Sequence, residues 1–141
     1  MIHSTQRAVA LRSVYREFEP LNNPFHWYEA GPLDAPPVIL LHGYMAHSMV
    51  FRRVAAQLSQ EYRLVIPDLP AHGRDRTFRA PSVKPTVESI ASWFATFIEN
   101  VAPDATLIGH SLGATVCYEF AQKFGGANAV VLVSPGLRLP N

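Results

Sequence analysis

The feature of this sequence that most restricts its fold is a set of four short apolar runs, each followed within two residues by glycine or proline. The runs cover residues 38–41, 63–66, 105–108 and 129–133. They are rich in β-branched residues, and continuous apolar runs of this length are typical of strands buried on both faces, as in parallel sheets. The sequence therefore predicts a parallel sheet of at least four strands.

Helical patterns separate the four runs. Val50, Val54 and Leu58 recur at four-residue spacing. A clear apolar stripe runs through residues 87–101, with Thr86 placed to cap its first turn, and another runs through residues 112–124 up to Gly125-Gly126. We therefore expect a helix in each connection between consecutive parallel strands.

The N-terminal region predicts a β-hairpin. Residues 14–19 and 25–30 have strand character, and the segment Leu21-Asn22-Asn23-Pro24 between them is typical of turns. The whole pattern indicates an α/β fold: a mainly parallel sheet of about six strands with an antiparallel N-terminal hairpin and helices on both faces. We expect residues 1–141 to form a single domain.

Composition excludes several classes of protein. Of the 141 residues, 48% are hydrophobic and 16% charged, which is typical of a globular chain and not of a disordered one. The net charge is +1 with no run of Lys or Arg, so we expect neither nucleic acid nor a membrane surface as a partner. The apolar stretches are much shorter than the roughly 18 residues that span a bilayer. The single cysteine, Cys117, favours a cytoplasmic location.

Chemistry in such sheets takes place in the loops at the carboxyl ends of the strands. One of these loops reads Gly109-His110-Ser111-Leu112-Gly113, which matches G-x-S-x-G between a strand and a helix. A sharp turn there presents the Ser111 hydroxyl above the sheet, and the helix that follows points unpaired N–H groups at the same place. An oxyanion can form at such a point. The alternative is that Ser111 only caps the helix.

Three motifs together make the chain similar to the α/β-hydrolase superfamily, in its branch of small esterase-like and C–C-bond hydrolases. The first follows the third strand, the second resembles the D-x-x-G-H-G-x-S segment of the family, and the third is the G-x-S-x-G turn. In the second motif Ala71 replaces the first glycine and Asp75 replaces the serine. The motifs are His42-Gly43-Tyr44, residues 68–75 and residues 109–113.

The resemblance implies roles for individual residues. Ser111 would be the nucleophile, and the backbone N–H groups of Tyr44 and Leu112 would form the oxyanion hole. The implied substrate is a small carboxylic ester or related carbonyl compound, with no cofactor and no metal; the substrate-binding residues stay open. A serine at position 111 argues against the chemistry of haloalkane dehalogenases and epoxide hydrolases, which use aspartate there.

The sequence lacks the usual partners of the serine. In this fold an acid and then a histidine follow the nucleophile, but after Ser111 the only carboxylate is Glu119, and no histidine follows. Two hypotheses remain open. The chain is either the front part of a longer hydrolase, truncated before the cap and the C-terminal strands, or a noncatalytic binding or scaffold relative. A dinucleotide-binding domain is disfavoured because G-x-G-x-x-G is missing after the first parallel strand.

Structural roles are expected for most other notable side chains. His42 would order the oxyanion loop through backbone hydrogen bonds, and Asp68 and His72 would hold the loop after the fourth strand. His110 would line the pocket and not act as a base. Met45 and Met49 would either line an acyl pocket or pack elsewhere. Core packing is expected for Cys117, Trp27 and Trp93.

Overall fold

The computed structural model of the protein describes residues 9–18, 23–74 and 85–136. Three parts of the sequence predictions lie outside these residues: the last residue of the first strand, Glu19; the first half of the turn, Leu21-Asn22; and the final position of the second motif, Asp75. Within the described residues no helix combines the length and the apolar character that a bilayer span requires.

Six strands form one sheet in the order β1-β2-β4-β3-β5-β6. β3 to β6 are parallel to their neighbours, whereas β1 and β2 form an antiparallel hairpin and β2 pairs antiparallel with β4. The predicted fold class is confirmed. The strands are β1 Arg12–Phe18, β2 Asn23–Ala30, β3 Pro37–Leu41, β4 Arg63–Pro67, β5 Thr106–His110 and β6 Ala129–Val133.

The hairpin strands begin two residues earlier than the sequence predicts, at Arg12 and at Asn23. The register explains the difference, because pairing continues without a break from Arg12 opposite Glu29 to Phe18 opposite Asn23. Polar residues at the ends of both strands are therefore held by backbone pairing, and the alternation of side chains that guides prediction does not reveal them.

The continuous apolar runs are explained by burial on both faces of the sheet. In β3, Ile39 and Leu41 belong to the core on one face, and Val38 and Leu40 belong to the core on the other. All four side chains are buried. Successive strand residues point to opposite faces, so a strand covered on both sides has no polar positions.

Two helices cover the first face. They are α2, Val87–Val101, and α3, Leu112–Lys123. Stacked aromatic rings of α2 meet Trp27 from β2, whose ring centroid lies 5.3 Å from that of Phe97. The core positions expected for Trp27, Trp93 and Cys117 are confirmed. α3 ends as predicted, with Gly125 in the left-handed region at φ +64°.

The second face is covered by a 3-10 turn, Ser48–Phe51, and by α1, Arg52–Leu58. Ala55 is fully buried there, and Phe51 and Leu58 pack beside it. Val50 and Val54 point outward instead and are 53% and 43% exposed. The predicted helix exists, but the stripe of Val50 and Val54 is not its buried face. The segment is apolar on two sides, and periodicity alone does not select between them.

The capping box at the start of α2 generates a stability prediction. The N–H of Ser89 donates to Thr86 Oγ1 (3.1 Å), and the N–H of Thr86 donates to Ser89 Oγ (2.9 Å). Thr86→Ala removes one of these bonds and should lower the free energy of unfolding by about 1 kcal/mol. Thr96→Ala, inside the same helix, is the matched control and should cost almost nothing. Equal losses in urea titrations would contradict the capping role.

Candidate active site

Ser111 sits in a strained turn between β5 and α3. Its backbone has φ +53° and ψ −116°, a conformation that costs an L-residue roughly 1–3 kcal/mol. Two hydrogen bonds hold it: the N–H of Ser111 donates to the carbonyl of Val133 (3.0 Å), and its own carbonyl accepts from the N–H of Thr115 (3.1 Å). The neighbouring strand and the following helix therefore stabilise the turn.

The two glycines of the motif are required by close backbone contacts. A Cβ atom on Gly109 would lie 2.5 Å from the carbonyl carbon of Gly113, and a Cβ on Gly113 would lie 2.1 Å from the carbonyl oxygen of Leu41. Neither distance is sterically allowed, and backbone atoms have little freedom to move away. The first turn of α3 consequently lies directly against the end of β3.

The side chain of Ser111 is not used as a helix cap. Ser111 occupies the N-cap position of α3, but its hydroxyl makes no capping hydrogen bond, so the alternative interpretation fails on geometry. The loop after β3 lies beside it, since a Cβ on Gly43 would be 3.1 Å from Ser111 Cβ. The hydroxyl-bearing turn and the predicted oxyanion loop are therefore neighbours.

The two predicted oxyanion donors begin without backbone partners. Leu112 is the first residue of α3, where N–H groups lack acceptors within the helix. Among residues 9–18, 23–74 and 85–136, no hydrogen bond is formed by the N–H of Leu112 or of Tyr44. Both groups are thus available as donors to a ligand.

His42 connects the loop after β3 with the loop after β4. Its Nδ1–H donates to the carbonyl of Gly43 (2.8 Å), and its Nε2 accepts from the N–H of Leu69 (2.9 Å). The ring is fully buried and neutral, and burial lowers the pKa of His42 to about 4. The predicted role of ordering the oxyanion loop is confirmed, and the same two bonds occupy both ring nitrogens.

Asp68 makes the second connection between these loops. Its carboxylate accepts from the N–H of Ser48 (2.8 Å) and from the N–H of Arg74 (2.9 Å). Burial alone would raise the pKa of Asp68, but the hydrogen bonds from Arg74 and Ser48 outweigh it, so the pKa is lowered and the side chain stays charged. Its predicted role in holding the loop after β4 is confirmed.

The partner of Asp68 on the hairpin was missed by the sequence analysis. The buried His26 donates from Nδ1 to Asp68 Oδ2 (2.9 Å), and Ser13 Oγ lies 2.8 Å from His26 Nε2. The pairing of Trp27 with Pro67 places these side chains together. No local pattern signals this contact, because it depends on the register between strands that are about forty residues apart.

His72 supports the same loop from its outer side. Its Nδ1–H donates to the carbonyl of Pro70 (2.9 Å), and its ring centroid lies 5.4 Å from that of His42 and 5.9 Å from that of Tyr44. This agrees with the predicted structural role. Ala71 has φ +63°, which explains why the family pattern has glycine at this position.

Other candidate groups lie outside the site or are unreactive. His110 is exposed, with Nδ1 3.5 Å from the position of a Cβ on Gly43. Burial raises the pKa of the Cys117 thiol to about 12, so it is not a nucleophile at neutral pH. Glu119 pairs with Lys123 one helical turn later (2.9 Å). In the part of the chain that the structure describes, no three His, Cys, Asp or Glu side chains form a metal-binding group.

Comparisons with known proteins agree with this geometry. A family model described as "Alpha/beta hydrolase family" matches residues 38–141. Similar curated proteins include the magnesium-chelatase 30 kDa subunit of Rhodobacter capsulatus, 37% identical over 70% of this chain, and a haloalkane dehalogenase of Mycobacterium marinum, 33% identical over 79%. A pimeloyl-[acyl-carrier protein] methyl ester esterase of Vibrio vulnificus is 27% identical over 72%.

The matched relatives are longer proteins. This chain spans 35–38% of the length of the three relatives. Among solved structures, the thioesterase domain from the curacin biosynthetic pathway matches 94% of this chain and 49% of its own, with a TM-score of 0.81 and 24% identity. At that identity the likeness concerns the fold alone.

The loop after β4 generates a paired prediction on stability. A Cβ on Gly73 would lie 2.4 Å from the Asp68 carboxylate, so Gly73→Ala should displace Asp68 and lower the free energy of unfolding by about 3 kcal/mol. Ala71→Gly relieves a positive φ and should raise it by about 0.5 kcal/mol. Chemical denaturation checks both changes. A harmless Gly73→Ala would contradict the packing of this loop against Asp68.

His42 generates a prediction on pH dependence. Its pKa in the folded protein, about 4, lies below its ordinary value of 6.5, so its contribution to stability is complete above pH 6.5 and is lost as pH falls toward 4. The loss should reach about 3 kcal/mol. His42→Gln should flatten the dependence of the unfolding free energy on pH in this window. His47→Gln, at an exposed histidine, should leave it unchanged; an unaltered slope in His42→Gln would refute the assignment.

Proposed function

Because this chain belongs to the α/β-hydrolase family, we propose that it carries the nucleophile and the oxyanion hole of a serine hydrolase that cleaves carboxylic esters or related carbonyl compounds. The observation that carries the proposal is the backbone of Ser111, at φ +53° between β5 and α3. This conformation leaves the hydroxyl uncapped at the carboxyl edge of the sheet, where the N–H groups of Tyr44 and Leu112 are unpaired.

The proposed reaction proceeds through an acyl-enzyme. The Ser111 oxygen attacks the carbonyl carbon while a base removes the hydroxyl proton, and the negative oxygen of the tetrahedral intermediate accepts hydrogen bonds from Tyr44 and Leu112. Collapse of the intermediate breaks the ester bond and releases the alcohol, which takes the proton. Water then cleaves the Ser111 ester by the same steps, giving the carboxylic acid and the free serine.

The general base is proposed to come from polypeptide beyond these 141 residues. His42 is unsuited to the task, because both of its ring nitrogens are occupied by bonds to Gly43 and Leu69. The relatives that share this portion are more than twice as long, so they have additional chain from which such a residue can come.

Ester chemistry is favoured over dehalogenation by the nucleophile itself. Displacement of a halide in this fold uses a carboxylate at the position of Ser111, whereas a hydroxyl beside two N–H donors suits attack on a carbonyl. The name of the Vibrio vulnificus relative describes ester hydrolysis, which supports the same class. The second candidate is a noncatalytic binding module, favoured by the lack of any histidine after Ser111.

Covalent labelling tests the proposal. A fluorophosphonate should modify Ser111 slowly, and added imidazole should accelerate the reaction by serving as an external base. Tyr44→Pro removes one oxyanion donor and should slow labelling about a hundredfold. Tyr44→Phe keeps that N–H group and should label at the normal rate. Mass spectrometry of tryptic peptides locates and quantifies the adduct.

Two controls make the result specific. Ser111→Ala should abolish labelling, whereas Ser92→Ala, at an exposed serine of α2, should not affect it. A folded chain that stays unlabelled with imidazole present would reject the hydrolase proposal and favour the noncatalytic binding module.

A further inference from the structure

The exposed apolar side chains of the protein are concentrated beside the candidate active site. Of the eight large hydrophobic residues that are exposed among the described ones, four lie between positions 44 and 54. They are Tyr44 (71%), Met45 (82%), Val50 (53%) and Val54 (43%). Single exposed apolar residues are ordinary, but a group of four in eleven residues marks a surface with a binding role.

The same surface carries positive charge that the described residues do not neutralise. Arg52 and Arg53 are exposed, and neither forms an ion pair with a described residue. No aspartate or glutamate occurs between positions 44 and 58. Elsewhere basic residues are paired, as Arg12 and Arg63 are with Glu29. The surface is therefore apolar and basic at once.

The position of this surface connects it with Ser111. It starts at Tyr44, whose N–H is a proposed oxyanion donor, and the preceding Gly43 lies against Ser111. Met45 has φ +57°, a conformation that an L-residue adopts only under constraint, and its side chain points outward. Met49, Val50, Arg52 and Arg53 line a shallow cavity of about 240 Å³. A protein bound here would lie next to the nucleophile.

We propose that residues 44–54 dock a small acidic acyl-carrier protein, which presents its acyl chain to Ser111. The inference rests on the proposed function, since it names the source of the acyl group. Acidic side chains of the carrier would pair with Arg52 and Arg53, while its apolar side chains would cover Val50 and Val54. Charge complementarity of this kind steers association and suits a brief, salt-sensitive contact.

An anionic membrane fits the surface less well. Stable attachment to a bilayer requires a polybasic cluster or a long amphipathic helix. This surface has two arginines, and α1 has only seven residues. A cavity bordered by both arginines offers instead a complementary place for individual side chains of a protein partner.

The test is a binding measurement with a purified bacterial acyl carrier protein loaded with a medium-length acyl chain. Fluorescence anisotropy should show saturable binding to the whole chain, weakened by added salt because the Debye length shortens. Arg52→Gln/Arg53→Gln should weaken binding about tenfold or more. Arg16→Gln/Lys123→Gln makes the same change in net charge at distant exposed sites and should leave the affinity unchanged.

The outcomes separate this inference from the proposed function. Binding does not need a reactive serine, so Ser111→Ala should bind as the wild type does. No saturable binding to a folded chain whose Ser111 accepts the fluorophosphonate would overturn the docking surface alone. Equal weakening in both double variants, or binding to anionic phosphatidylglycerol vesicles in place of the carrier protein, would also overturn it. Carrier binding with an unreactive Ser111 would support the surface and reject the acyl-enzyme.

Discussion

The contact on which the site depends is the approach of the first turn of α3 to the end of β3. A Cβ on Gly113 would lie 2.1 Å from the carbonyl oxygen of Leu41, so the two backbones meet with no side chain between them. This contact forces the chain to turn sharply at Ser111 and sets the loop of Gly43 and Tyr44 beside it. Any larger residue at 113 would separate the hydroxyl from one of its two proposed donors.

Buried polar groups hold the second donor loop in place. His42 and Asp68 both bridge the loops after β3 and β4, and each makes its bonds to backbone N–H or carbonyl groups. Burying a charged carboxylate costs free energy, but three hydrogen bonds to Asp68 compensate for it. Since an oxyanion hole works only when its donors are already in position, these bridges are as important to the proposed chemistry as the donors.

The sequence was informative where structure is local or periodic. The apolar runs predicted the buried strands, their order along the chain predicted the parallel sheet, and the glycines around Ser111 predicted the turn. It was uninformative where contacts join distant segments. The pair of His26 and Asp68 arises from strand register. The outward direction of Val54 arises from which side of α1 meets the sheet, and both sides of that helix are apolar.

The most direct measurement is a crystal structure of the chain with Ser111 phosphonylated. The account predicts that one phosphonyl oxygen lies about 3 Å from the backbone nitrogens of both Tyr44 and Leu112, as an oxyanion would. Such a structure would also show whether the backbone of Ser111 keeps its positive φ. An adduct whose oxygens point to solvent, or a loop that moves Tyr44 out of reach, would contradict the account.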